Sequence, residues 1–124
     1  MTCKVCAGEW PWKAQKIAEL ELSVAYLFED QFFPGWTVVV LRRHATELYE
    51  LTRSEGSQLI EEVSAVATAL AMAFEPVKIN YELLGNLGPH MHWHIVPRFR
   101  DDGVYPRPIW VSEPPRKILP PSKF

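Results

Sequence analysis

Three of the four histidines in this chain fall in one run, Gly88-Pro89-His90-Met91-His92-Trp93-His94-Ile95-Val96-Pro97-Arg98. Successive side chains of a β-strand point to opposite faces, so His90, His92 and His94 would share one face of a strand. The apolar residues between them would share the other face and point into a core. Three imidazoles in a row pack poorly, because each brings a polar edge that needs a partner. The pattern therefore indicates chemistry: a metal site, a proton relay or a nucleophile.

The segments upstream of this run carry strand patterns. Residues 22–28 and 36–41 are rich in β-branched and aromatic side chains and are separated by a Pro-Gly turn signal, which predicts two antiparallel strands. Residues 77–83 alternate apolar and polar side chains, and we expect them to form an antiparallel hairpin with the histidine run.

Helical patterns occupy three further segments. We predict a short helix over residues 10–18, two helical turns over 44–51, and a longer helix that begins at the Thr52-x-x-Glu55 capping box and ends at Pro76. Together these elements predict an α+β fold with a mainly antiparallel sheet of about five strands and packed helices.

The composition is that of one domain spanning residues 1–124, with residues 1–19 as a cysteine knuckle and short helix and residues 101–124 as a proline-rich, irregular tail. The net charge is -2 and no basic stripe is present, so we expect no nucleic-acid partner. No apolar stretch could cross a bilayer and the N-terminus lacks a signal-peptide pattern. We therefore expect a cytoplasmic protein that does not use a membrane.

Two chemistries fit the three histidines. In the first, His-x-His and a third ligand hold a catalytic zinc ion that activates water. In the second, one imidazole attacks an electrophile such as phosphorus while its neighbours fix its tautomer and bind charge.

The sequence around the histidines resembles the histidine triad (HIT) family of nucleotide hydrolases and transferases. That family alternates three histidines with apolar residues and often ends the run in Pro-Arg, as at Pro97-Arg98. The similarity extends over most of residues 20–98, including the first hairpin and the Arg42-Arg43-His44 segment. The chain most resembles the bacterial branch of diadenosine polyphosphate hydrolases. The resemblance implies a HIT-like fold and a homodimer.

The resemblance also implies roles for the histidines. His92 would attack the α-phosphorus of an adenine nucleotide and form a covalent nucleotidyl-histidine that water then hydrolyses. His90 would orient His92, partly through its backbone carbonyl, and His94 would hydrogen-bond the phosphate. Asn86 stands where the family often has glutamine, and Asp30 matches the family's ribose-binding acid.

Two further residues are assigned to substrate binding, and one position departs from the family. Gly88 lies in the loop before the histidines, where backbone N–H groups can approach phosphate oxygens. Arg98, which ends the Pro-Arg pair after the histidines, is the second residue assigned to substrate binding. Many family members have a histidine directly after the Pro-Gly-like turn, where this chain has Trp36, so a relay to that histidine is absent here.

The two cysteines, Cys3 and Cys6, have a Cys-x-x-Cys spacing that suggests metal binding or redox chemistry. With His44 and His90 they make a Cys2His2 set that resembles the zinc site of several bacterial family members, and such a filled shell is structural. Metal-free reduced thiols on the N-terminus are the alternative.

From these observations we expect an enzyme that cleaves at the α-phosphorus of a diadenosine polyphosphate or a nucleoside phosphoramidate, with structural zinc and no organic cofactor. Two alternatives stay open. One is a nucleotide-binding or partner-binding module with little turnover, and the other is a zinc-dependent hydrolase that uses the triad as ligands.

Overall fold

Five strands form one antiparallel sheet in the computed structural model, which describes residues 3–9, 15–111 and 117–118. The strands are β1 (Lys16–Glu19), β2 (Ser23–Leu27), β3 (Thr37–Leu41), β4 (Lys78–Glu82) and β5 (His92–Arg98). Their order in the sheet is β1-β2-β3-β5-β4, so the histidine strand is inserted between two earlier strands. The predicted α+β fold, with an antiparallel sheet of about five strands, is confirmed.

One helix, α1 (Arg53–Phe74), covers one face of the sheet. It begins at the predicted capping box, in which the Thr52 hydroxyl accepts from the Glu55 N–H and the Glu55 carboxylate accepts from the Thr52 N–H. It ends at Glu75, which adopts a left-handed conformation directly before a proline. Apolar side chains of α1 form the main core with Met91 and Ile95. The intervening histidines of β5 therefore face away from the helix.

A tight turn between β2 and β3 fixes the start of β3. Gly35 has φ +88, and a Cβ there would lie 2.9 Å from Cγ of Pro97 and 3.0 Å from Cε2 of Phe74, so only glycine fits. The Gly35 N–H donates to Oε1 of buried Gln31 at 2.9 Å. This turn delivers the next residue, Trp36, onto the face that carries the histidines.

Two helix predictions were wrong. Residues 16–18 of the predicted 10–18 helix lie in β1, because backbone pairing with β2 outweighs weak local propensity; residues 10–14 lie outside the described residues. Between residues 44 and 51 only one 3-10 turn forms, at Leu48–Glu50, because a capping box of Glu47 and Glu50 closes a single turn.

The C-terminal tail is irregular as far as it is described. It contains a 3-10 turn at Ile109–Val111, and Ile118 forms an isolated antiparallel bridge with Asp30. Residues 112–116 and 119–124 lie outside the described residues. No helix among the residues that the structure describes is long and apolar enough to cross a membrane.

Candidate active site

The site is built on the sheet face opposite α1. Strand β5 pairs on one side with β3 and on the other with β4, which places His92 opposite Val40 and His94 between Val38 and Glu82. Strand pairing on both sides holds the backbone of His94, and pairing with β3 holds that of His92. Their side chains are 5.2 Å apart between ring centroids.

The backbone selects the tautomer of His92. Nδ1 of His92 lies 2.8 Å from the carbonyl oxygen of His90, and a carbonyl can only accept, so Nδ1 carries the proton. The lone pair of the neutral ring is then on Nε2. A Cβ on Gly88 would lie 3.8 Å from Cε1 of His92, so the loop backbone passes close beside this ring.

A tryptophan selects the tautomer of His94. The indole N–H of Trp36 donates to Nδ1 of His94 at 2.9 Å, and because indole is a donor only, neutral His94 carries its proton on Nε2. His94 is 8% exposed. Burial, with a smaller contribution from the charge of His92, lowers the pKa of His94 to about 4. His94 is therefore a neutral N–H donor near pH 7.

Aromatic rings enclose His94. The rings of Phe28, Trp36 and Trp110 each lie 5.7 Å from the His94 ring between centroids. The Trp110 indole also donates to the carboxylate of Glu82 on β4. Trp110, in the C-terminal tail, is 51% exposed and contacts the His94 ring edge-on.

His90 faces a different environment although it is only four residues away. It is buried, its Nε2–H donates to the carbonyl of Leu41 at 2.7 Å, and its Nδ1 is thereby the atom with the lone pair. Burial lowers the pKa of His90 and favours this neutral form. Its carbonyl orients His92, whereas its ring belongs to the cysteine cluster.

The cysteine cluster consists of Cys3, Cys6, His44 and His90, whose ligand atoms all lie within 4.8 Å of one another. Nδ1 of His90 is 3.4 Å from Sγ of Cys3, 3.6 Å from Sγ of Cys6 and 3.2 Å from Nδ1 of His44. A zinc tetrahedron has edges of about 3.3 Å between two nitrogens and about 3.6 Å between nitrogen and sulfur. The predicted set is thus brought together at spacings that fit zinc.

Two contacts around the cluster also suit a metal. The Cys6 N–H donates to Sγ of Cys3 at 3.5 Å, which favours a thiolate. The Leu41 carbonyl that holds Nε2–H of His90 fixes the ring with Nδ1 towards the sulfurs. The sulfur and nitrogen donors, together with the hydrogen bond from His90 to the Leu41 carbonyl, therefore fit a structural zinc ion.

Asp30 and Asn86, both predicted to bind substrate, lie in different settings. One oxygen of Asp30 accepts from the Phe32 N–H and the Lys117 N–H, each at 3.0 Å, so this carboxylate ties the first hairpin to the C-terminal tail. Asn86 is exposed in the loop between β4 and β5. Their roles towards a nucleotide stay predictions.

Arg98 has a different role from the substrate contact that we predicted. Its guanidinium is 1% exposed, pairs with the Asp102 carboxylate at 2.8 Å and donates to Oδ1 of Asn80 at 2.8 Å. It also lies over the rings of Phe33 and Tyr105. Because strand residues rise about 3.3 Å each, it sits roughly 13 Å along the strand from His94. Arg98 is a buried structural cation that anchors the tail.

Asp102 completes this anchor, and sequence reasoning missed it. Burial alone would raise its pKa, but hydrogen bonds from Arg98 and from the N–H groups of Tyr105, Val104 and Phe99 lower it to about 2. Sequence reasoning also missed the hydrogen bond from Trp36 to His94. The one signal for it was a donor-only side chain at a position that resembling proteins fill with histidine.

Comparison with known proteins adds three findings. A family model described as HIT domain matches residues 11–101. The "Protein hit" of Bacillus subtilis is 34% identical over 107 residues, which cover 82% of this chain and 72% of that protein. The crystal structure of a histidine triad protein from Bradyrhizobium japonicum superposes with a TM-score of 0.79 at 32% identity, covering 90% of this chain and 84% of that one.

Two relatives from Schizosaccharomyces pombe have names that state an activity. The protein named adenosine 5'-monophosphoramidase hnt1 is 29% identical, with 77% of this chain and 71% of that protein covered. The protein named bis(5'-nucleosyl)-tetraphosphatase [asymmetrical] is 28% identical, with 77% of this chain and 55% of that protein covered.

Proposed function

Since the chain belongs to the HIT domain family, we propose that it is a nucleotide hydrolase or transferase that cleaves at the α-phosphorus of an adenine nucleotide. The names of two relatives, a phosphoramidase and a tetraphosphatase, support substrates of this kind. The single observation that carries the proposal is the 2.8 Å hydrogen bond from Nδ1 of His92 to the His90 carbonyl. It leaves the lone pair on Nε2, where a nucleophile needs it.

The proposed reaction has two displacements at phosphorus. In the first, the Nε2 lone pair of His92 forms an N–P bond while the bond from phosphorus to the leaving group breaks and its electron pair departs with that group. The substituted ring is cationic and keeps Nδ1–H on the His90 carbonyl. In the second, water forms a P–O bond, Nε2 recovers its electron pair, one proton passes to solvent, and a nucleoside monophosphate is released.

His94 and the glycine loop would stabilise the phosphoryl oxygens. Neutral His94 offers Nε2–H, and because its ring is buried among aromatic side chains, this donor is already oriented before substrate arrives. The backbone near Gly88, which passes beside the His92 ring, offers N–H groups at the same place. Asn86 and Asp30 would bind the phosphate and the ribose.

We also propose that Cys3, Cys6, His44 and His90 hold a structural zinc ion. Zinc there would supply no group to the reaction; bound to the His90 ring, it would hold the His90 backbone, whose carbonyl orients His92. Catalytic zinc on the triad is disfavoured, because the Trp36 indole donates to Nδ1 of His94 and so leaves the proton of neutral His94 on Nε2, and because the ring of His90 lies in the cysteine cluster. A chelator added after folding separates the two uses of zinc: turnover should survive if zinc is structural and should be lost if zinc is catalytic.

A homodimer is the assembly that we propose. Strand β4 is an edge of the sheet. Exposed apolar side chains lie at the end of α1, in its connection to β4, on β4 and in the loop after β4: Met72, Phe74, Val77, Tyr81, Leu84 and Leu87. An exposed apolar sheet edge is a surface that a second copy can cover. Light scattering of the full chain should give twice the monomer mass, and a monomer would refute this.

The test of the function is turnover plus a trapped intermediate. The purified protein is mixed with diadenosine tetraphosphate and, separately, adenosine 5'-phosphoramidate, and nucleoside monophosphate release is measured. Rapid acid-free quenching and mass spectrometry should find a nucleoside monophosphate adduct on the peptide that contains His92, and His92→Ala should lack it. Binding without turnover would indicate a nucleotide-binding module instead.

A further inference from the structure

We propose that Trp36 holds His94 as a neutral donor with a single proton and thereby directs the site to phosphoanhydride substrates rather than phosphoramidates. This rests on the proposed cleavage at the α-phosphorus. The observation behind it is the 2.9 Å hydrogen bond from the Trp36 indole to Nδ1 of His94, between two buried side chains. Trp36 does not touch the substrate in this proposal; it is a positioning residue.

The hydrogen bond opposes a second proton on His94. In an imidazolium both ring nitrogens carry hydrogen, so Nδ1–H would point at the indole N–H from 2.9 Å, and the bond would become a clash of two donors. A histidine at position 36 could accept as well as donate and would permit that proton. Indole has no such alternative, because its nitrogen does not accept.

The remaining surroundings of His94 also disfavour its charge. The rings of Phe28, Trp36 and Trp110 surround it and bring no charge. The titratable groups that face it are His92 on its own strand and Glu82, directly opposite on β4. The Glu82 carboxylate already accepts from the Trp110 indole, and burial together with His92 lowers the pKa of His94 to about 4.

A neutral His94 limits which leaving groups can depart. When a phosphoanhydride is cleaved, the P–O bond breaks and the oxygen leaves with the electron pair as a phosphate anion, which is stable without a proton near pH 7. When a phosphoramidate is cleaved, the nitrogen would leave as a far more basic amide anion unless it takes a proton as the P–N bond breaks. Neutral imidazole is a poor acid for that task, whereas imidazolium is a good one.

The chain supplies a matched control in Trp93. Its indole N–H is buried and has no hydrogen-bond partner among the described residues, and its ring packs against the main core on the opposite face of β5. Trp36→Phe and Trp93→Phe therefore each remove one buried indole N–H from the same fold. Only the first removes a bond to His94.

The experiment measures kcat/KM for diadenosine tetraphosphate and for adenosine 5'-phosphoramidate in the unsubstituted protein, in Trp36→Phe, in Trp36→His and in Trp93→Phe. We expect the unsubstituted protein and Trp93→Phe to share one ratio that favours the anhydride. Trp36→His should lower that ratio by about tenfold or more, because a histidine at position 36 can accept from a second proton on His94 and so permits general acid catalysis of P–N cleavage. Trp36→Phe, which keeps His94 buried, should lower the ratio by a smaller factor.

A spectroscopic readout tests the tautomer without any substrate. In 15N-labelled protein, long-range 1H–15N correlation should find His94 protonated on Nε2 alone from about pH 6 to about pH 8, and Trp36→Phe should show mixed tautomers or a second proton in that range.

The outcomes separate this inference from the proposed function. Turnover with an unchanged substrate ratio in both Trp36 variants, or a preference of the unsubstituted protein for the phosphoramidate, would overturn the inference and leave the function standing. A doubly protonated His94 in the unsubstituted protein would also overturn it. Absence of turnover with both substrates, with the tautomer as expected, would overturn the function and the substrate preference built on it.

Discussion

His90 and His94 are the same residue type only four positions apart, the first just before β5 and the second within it, yet they stand in different environments. Nδ1 of His90 faces two thiols and a second imidazole, whereas Nδ1 of His94 accepts from an indole inside an aromatic enclosure. The Leu41 carbonyl fixes one ring and Trp36 fixes the other. The comparison teaches that alternation along a strand gives the direction of a side chain, while partners distant in sequence decide its chemistry.

The largest expected effect belongs to His92, which lies between these two environments. His92→Ala removes the proposed nucleophile, so turnover should fall by about a thousandfold or more while nucleotide binding persists. Steady-state rates and equilibrium dialysis with a nonhydrolysable nucleotide measure the two quantities. If the variant keeps more than about a tenth of the rate, His92 is not the nucleophile.

The next effect tests the environment of His90. Replacing both Cys3 and Cys6 by serine removes the sulfur ligands, so zinc content should fall from about one per chain to near zero and the melting temperature should drop, because metal binding couples to folding. Metal analysis and thermal denaturation provide the measurement, with Ser57→Ala on the exposed surface of α1 as control. A chain purified without chelator that contains no zinc would end the metal interpretation.

The environment of His94 predicts a pH dependence of stability. The pKa of His94 in the folded chain is about 4, below the unfolded value near 6.5, so the unfolded state binds more protons between these values. Stability should therefore fall as the pH drops from about 6.5 towards 4, by roughly 2–3 kcal/mol from this group. Urea titrations of the native protein and of His94→Gln should diverge in slope over that range; parallel curves would count against a neutral buried His94.

The smallest expected effect tests whether Asp30, which lies outside the aromatic enclosure of His94, contributes to nucleotide binding. Asp30→Ala should weaken binding of a ribonucleotide by about tenfold, the order expected for a hydrogen bond to a charged group, and affect a deoxyribose analogue less. Calorimetry on both nucleotides gives the comparison. Equal losses would assign Asp30 a structural role, through contacts such as its hydrogen bonds from the Phe32 and Lys117 N–H groups.

The sequence predicts those parts of the molecule that depend on periodicity and capping. The alternation in residues 90–95 places Met91 and Ile95 in the main core, and the Thr52 capping box marks the start of α1. Residues 16–19 escape prediction because β1 is exposed throughout and carries no apolar pattern; its pairing with β2 decides its conformation.

The sequence predicts most of the residues that form the candidate site, but not the contacts that they make there. Resemblance named Cys3, Cys6 and His44 as neighbours of His90, and the structure brings the four together. Arg98 was misassigned because its burial depends on Asp102 and Tyr105, which fold back over it from the tail. The bond between Trp36 and His94 depends on a turn geometry that local sequence does not specify.

The insertion of β5 between β3 and β4 has a consequence for the order of events during synthesis. A ribosome delivers Cys3, Cys6 and the first hairpin long before His90, and 87 positions separate Cys3 from His90, which lies just before β5. Closing so long a loop is entropically costly, and folds rich in such distant pairings form slowly. We therefore expect the sheet of the nascent chain to stay without β5, and the two cysteines to stay without their histidine partner at position 90, until residue 98 has emerged.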